Sequence, residues 1–178
     1  MTYYGAKELA EAFKTVRKNT LQIAEDIPEN KYSFKAAADV RTVEKMLTHI
    51  ALATRFQHQF HSENRTTMEG FNFPALFQEL TAEEAKPRTK AEVIALLRNE
   101  GEKWAGFLAG LSEESLGQTI TMPPGGTPPS RVRFDMIMSA KEHEMHHRGQ
   151  LMLIERILGI VPHLTRQMQE RMARMQQR

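Results

Sequence analysis

The chain of 178 residues has no cysteine, which removes disulfide frameworks, cysteine-ligated zinc and thiol nucleophiles together. Any metal site must therefore be built from histidine and carboxylate. No run of about 18 apolar residues exists to cross a membrane. The N-terminal "MTYYGAKELAEAFK" lacks a basic segment followed by an apolar one, so it does not read as a secretory signal and a cytoplasmic location is expected. Charge of one sign is also scarce. A formal net charge of +2 is too small to argue for nucleic acid by itself and says little about partners; nucleic acid is not expected among them. No linker-like stretch divides the chain, and a single domain spanning 1–178 is expected.

What is present is helical periodicity. Apolar residues recur at three- and four-residue spacing nearly everywhere, with turn residues between the periodic segments. A first helix is predicted from about Ala6 to Asp26, with Leu9, Phe13, Val16, Thr20 and Ile23 on one stripe and "IPEN" ending it. A second begins near Asp39, read as its N-cap, and runs to about His61, where "MEGFNFP" closes the stretch. A third covers about Lys90 to Leu111, and a fourth runs from Ser130 or Arg133 to Leu158, stopped by Gly159 and Pro162. A last helix fills the tail from His163. The Pro/Gly-rich "GQTITMPPGGTPPSRVRF" is too irregular for helix and reads as a loop or small hairpin. The expected architecture is all-α: an up-and-down four-helix bundle with an additional C-terminal helix and a short loop or hairpin before the fourth long helix.

Residues 142–147 pack three histidines and two glutamates into six positions. His143 and His147 lie about 40° apart, one turn from each other on the same helix face, together with Ala140, Leu151 and Ile154. On the second helix His49 shares its stripe with Met46, Ala53 and Phe56. Buried imidazoles are costly unless hydrogen-bonded or metal-bound. Three inward histidines from two helices therefore point to a divalent metal site at His49, His143 and His147. Such a set suits zinc, nickel, copper and iron and leaves further positions for water or substrate. His58 and His61 read as solvent-reaching, His146 as support rather than ligand, and His163 as part of a helix start.

The segment also matches the H-E-x-x-H pattern of zinc proteases, in which the glutamate is the general base. The metzincin continuation requires Gly and His at positions 150 and 153, where this chain has Gln150 and Leu153. Glu155 and Glu170 are poorly placed as downstream ligands. Glu144, the candidate base, lies about 100° from His143, and its plain alternative is a helix-surface pairing with Arg148. No catalytic residue is assigned beyond Glu144 as a candidate.

The segment "HEMHHRGQL", with the upstream histidine in "RTVEKMLTHIA", resembles the DinB/YfiT-like metalloenzymes of the DinB superfamily over nearly the whole chain. The family's HxxxH falls on His143 and His147, and its helix-two histidine on His49. The resemblance implies a four-helix bundle with a three-histidine divalent metal site, often nickel or zinc, and frequently a homodimer. It also implies activities such as thiol-dependent S-transfer, thiol-dependent isomerisation or hydrolysis, with a small-molecule substrate and a low-molecular-weight thiol as candidate partners. Gln150, near the histidine face, is expected to hydrogen-bond within the core, and Gly149 to permit close approach of a neighbouring helix.

Two other classes compete with a metal-dependent enzyme. One is a non-catalytic metal or small-ligand binding protein of the same fold. The other is an interaction module using the tail "LTRQMQERMARMQQR", whose Leu164, Met168, Met172 and Met175 form a stripe expected to be core or dimer contact.

Overall fold

Residues 4–177 are described by a computed structural model of the chain. Four long helices carry it: α1 (Ala6–Asp26), α2 (Val43–Ser62), α4 (Lys90–Ala109) and α6 (Arg133–Ile157). Between them stand α3 (Phe73–Ala85), α5 (Glu113–Gly117) and a two-stranded ribbon of β1 (Thr119–Thr121) and β2 (Ser130–Val132), and α7 (His163–Gln176) closes the chain. None of the described helices is long and apolar enough to cross a membrane.

Local chemistry sets the ends. The Thr42 side chain accepts from Lys45 N at 3.1 Å and starts α2, so the cap is Thr42 rather than the expected Asp39; residues 36–40 run as bends and turns. Thr89 and Glu92 form a reciprocal capping box at the start of α4. Gly159 adopts φ +78 just beyond α6, the left-handed turn a helix end commonly uses. The expected hairpin is real but small: Thr119 pairs with Val132 and Thr121 with Ser130, antiparallel, and Ile120 between them is fully buried.

Helix α3 was not expected. Phe73, Leu76, Phe77 and Leu80 stand at i, i+3, i+4 and i+7, but only Leu76 of its thirteen residues is buried. Asn72 nevertheless caps it by accepting from Ala75 N at 3.1 Å, with a proline in its first turn.

Helices α1 and α2 each pack against both α4 and α6. The first two long helices thus face one another across the bundle rather than side by side. One apolar layer gathers Ile23, Val43, Leu47, Leu97 and Ile154; another gathers Phe13, Trp104, Leu108 and Ile137.

Arg17 is buried and holds Glu144 with two contacts of 2.9 Å, from Nε to Oε1 and from Nη2 to Oε2. The same guanidinium donates to Leu97 O at 2.5 Å and Ile50 O at 3.4 Å, so one side chain from α1 touches α2, α4 and α6. Gly101 makes the room: a Cβ there would stand 2.8 Å from Arg17 Cγ. Glu144 is accordingly neither at the surface nor paired with Arg148. Its angle from the histidine face turns it toward α1, and the arginine already buried there takes it.

At the far end of α6, Glu155 is fully buried and neither carboxylate oxygen has a partner among the described residues. Burial, reinforced by the charge of Asp26, pushes its pKa up to about 7 from 4.5. The folded chain therefore holds this proton more tightly than the unfolded chain. The stability it contributes is intact below about pH 4.5 and is lost as the pH rises through about 7. Glu155→Gln is expected to change little at pH 5 and to add on the order of 2–3 kcal/mol at pH 8. Urea unfolding at the two pH values measures this; an equal effect at both would contradict it.

Two surface expectations change. Gly149 has open space around its Cα rather than a packed helix, so it permits no close approach within the chain. Met168, Met172 and Met175 are well exposed, so the tail stripe is not core in the single chain.

Candidate metal centre

Helix α2 presents His49 from one side and α6 presents His143 and His147 from the other. The Nε2 atoms of His49 and His143 lie 3.1 Å apart, and those of His147 and His143 3.2 Å apart. One ring nitrogen from each of the three falls within 4.8 Å of the others. An ion roughly 2.0–2.1 Å from two nitrogens so spaced would see them at an angle of roughly 100°, close to a tetrahedral or octahedral corner.

Hydrogen bonds orient the rings for this. His49 Nδ1 meets Glu84 Oε2 at 3.0 Å and His147 Nδ1 meets Gln150 Oε1 at 2.7 Å. Each oxygen can only accept, so each Nδ1 is the N–H and each Nε2 keeps its lone pair. Those two lone pairs converge on His143 Nε2, which as a donor could satisfy one of them. His143 Nδ1 is buried without a partner among the described residues. A cation accepts all three lone pairs at once, and the donor set fits one.

The rings are neutral at pH 7. Burial holds all three below the usual histidine range. For His143, burial with the neighbouring His147 and His49 lowers the pKa to about 4. At His49 the charge of Arg41 adds to burial, while Glu84 pulls the other way.

Glu84 and Arg41 are parts of this site that the sequence did not mark as such. Burial opposes the ionisation of Glu84, yet hydrogen bonds from Arg41 and His49 hold its pKa below the ordinary carboxylate value. Arg41 thus fixes Glu84, and Glu84 fixes His49. Gln150, near the histidine face, was expected to hydrogen-bond within the core; it is exposed instead, bonds His147 there and also meets His146 Nε2 at 3.3 Å. His146 therefore supports the ring of His147 through Gln150. Glu84→Gln is expected to weaken metal affinity about 10- to 100-fold, the usual cost of losing an orienting partner of a ligand histidine. Competition with a chelating dye reads the change, and an unaltered affinity would show that Glu84 does not orient the ring.

Other expected sites lie elsewhere. His61 does not reach solvent: it is 3% exposed, between Gln57 Oε1 and Arg133 Nη1, each 2.9 Å from a ring nitrogen. His58 is half-buried against Phe107 and Trp104. His163 begins α7 as expected and meets Asn19 Oδ1 at 3.2 Å. Glu170 is engaged with Arg174 on the exposed α7, and Glu155 is sealed at the far end of α6, so neither joins the three histidines as a protease-type ligand.

A cavity of about 450 Å³ opens beside the histidines. His49, His143, Arg41 and Glu84 give it one polar wall, and Leu52, Phe56, Phe77 and Leu80 give it an apolar one. Ligand sites commonly have this size and this mixture.

Residues 12–151 match the model of the DinB superfamily. The chain is 28% identical over 156 residues to the uncharacterized protein YjoA of Bacillus subtilis strain 168, a match covering 86% of this chain and 91% of that protein. The crystal structure of YjoA, described as a DinB-like protein, superposes with a TM-score of 0.64 at 24% identity, covering 85% of this chain and 92% of that one. YfiT from Bacillus subtilis, described as a probable metal-dependent hydrolase with an unusual four-helix bundle topology, gives a TM-score of 0.67 at 15% identity, covering 90% and 91%. At those identities the two structures establish the shared fold. The family match covers most of the chain and includes all three converging histidines, and the chain belongs to the DinB superfamily.

Proposed function

We propose that this protein is a metal-dependent enzyme in which His49, His143 and His147 hold one divalent ion, nickel or zinc, and act on a small molecule by hydrolysis or thiol-dependent S-transfer. The observation that carries this reading is the convergence of three neutral imidazole nitrogens on the wall of an open cavity. A sealed site would favour a structural ion; here His49 and His143 line the space a substrate would enter. The ion, when bound, would supply Lewis acidity and lower the pKa of a coordinated water or thiol. Glu84 and Gln150 hold two of the three rings in the ligating tautomer. The apolar wall excludes water from one side of the reacting centre. Glu144 has no part in this chemistry, because both its oxygens are committed to Arg17.

The description of YfiT as a probable metal-dependent hydrolase agrees with this reading. We place the protein in the cytoplasm and as a homodimer; exposed Leu153, Ile157 and Val161 and the exposed methionines of α7 supply apolar surface for the dimer. The test is a panel of ester and amide hydrolysis and of thiol addition to electrophiles, run on metal-loaded and chelated protein. At least one reaction is expected to vanish on chelation, return with nickel or zinc, and be absent from His147→Ala. If no reaction exceeds the His147→Ala background with either metal, the enzyme reading falls.

A further inference from the structure

In the wall of the same cavity, α2 and α6 contribute Gln57 and Ser139. Gln57 Nε2 lies 3.1 Å from Ser139 Oγ, and Ser139 Oγ donates to Met136 O at 2.6 Å. On the other side Gln57 Oε1 lies 2.9 Å from His61 Nε2, and His61 Nδ1 lies 2.9 Å from Arg133 Nη1. Arg133 is wholly buried, and among the described residues its partners are neutral: His61, Gln118, Asn64 and Arg65 O.

This chain of bonds has one direction. A guanidinium only donates, so His61 Nδ1 must accept from Arg133. Burial, together with the Arg133 charge, lowers the His61 pKa to about 3, so the ring is neutral and its single N–H is at Nε2. Gln57 Oε1 is then the acceptor, and the amide cannot flip without opposing two donors. Its NH2 group faces Ser139 at the cavity wall. Ser139 takes one of the two N–H groups, and the other has no protein partner among the described residues.

Resting on the reading of this cavity as the substrate site, we propose that Gln57 is its substrate-orienting donor. The site then takes small molecules with an apolar, ring-sized body and a carbonyl-type hydrogen-bond acceptor. The acceptor meets the free N–H of Gln57, while Leu52, Phe56 and Leu80 receive the body. A burial of Arg133 without a carboxylate partner, costly by itself, acquires a purpose: it polarises and locks the relay that aims Gln57.

Acetophenone and ethylbenzene are matched probes, alike in shape and differing in the carbonyl. Their affinities are measured by NMR titration of the full chain, zinc-loaded and chelated, with metal content of each sample read by elemental analysis. Gln57→Met is expected to lower the affinity for acetophenone relative to ethylbenzene by about 5- to 10-fold, the worth of one hydrogen bond. The loss is expected with and without zinc. If Gln57→Met fails to fold, Gln57→Glu, which keeps an acceptor for His61 but has no N–H, is expected to show the same loss. A ratio unmoved by both substitutions would overturn the proposal, as would failure of either probe to bind. So would a ratio that collapses on chelation alone, because the carbonyl would then be ligating the ion. Metal content reports on the histidine site independently, so the two readings can fail separately.

Discussion

Glu144→Leu is expected to destabilise the fold by about 3–5 kcal/mol, the usual cost of removing one partner from a buried ion pair. The loss is large because Arg17 would remain in the bundle centre with its carboxylate gone, keeping only the carbonyls of Leu97 and Ile50. Neither carbonyl can neutralise it. Adding Arg17→Met to Glu144→Leu removes the stranded charge and is expected to recover most of the stability, because a buried pair and a well-packed apolar replacement are often close in free energy. Denaturant unfolding of both single variants and the double variant measures the coupling. A loss under 1 kcal/mol in the single variant would mean that water reaches Arg17. Under conditions where Glu144→Leu is folded, its metal content is expected to be unchanged, which separates this pair from the histidine site despite Glu144 standing next to His143 in sequence.

Metal is expected to be the second large lever on stability. A divalent ion that binds the folded chain alone, at a free concentration about 1000 times its Kd, adds about 4 kcal/mol. His143→Ala should abolish that increment without costing the metal-free protein much. In the metal-free chain His143 Nδ1 has no partner among the described residues, and its Nε2 faces two neighbouring lone pairs. Removing it therefore breaks few favourable bonds. Thermal or denaturant unfolding with and without zinc or nickel should show a metal-dependent rise in the native chain and none in the variant. A variant that gained as much from metal as the native chain would place the ion somewhere else.

Much of this was legible from periodicity. The stripe of Leu9, Phe13, Val16, Thr20 and Ile23 predicted α1 with the bounds it has, and the i, i+4 spacing of His143 and His147 placed both on the α2-facing side of α6. His49 was legible for the same reason, since Met46 and Ile50 beside it are buried in the same helix. What was not legible depended on which helices are neighbours. That α1 lies against α6, carrying a buried arginine, is a property of the bundle's packing, so Glu144 read as a surface residue. Glu84 stands at the end of α3, whose stripe of Phe73, Leu76, Phe77 and Leu80, Asn72 cap and following proline were there to be read, but its place beside His49 depends on how α3 packs on α2. His61 followed the same pattern, because only the fold brings Arg133 against it across 72 residues.

The claim that unites these observations is that His49, His143 and His147 hold a divalent ion in common. Calorimetric titration of chelator-treated protein with zinc and with nickel, paired with elemental analysis after desalting, tests it directly. One ion per chain is predicted for the native protein, with stoichiometric binding lost in His49→Ala, His143→Ala and His147→Ala alike. Native protein that takes up neither metal, or variants that each retain a full ion, would contradict it.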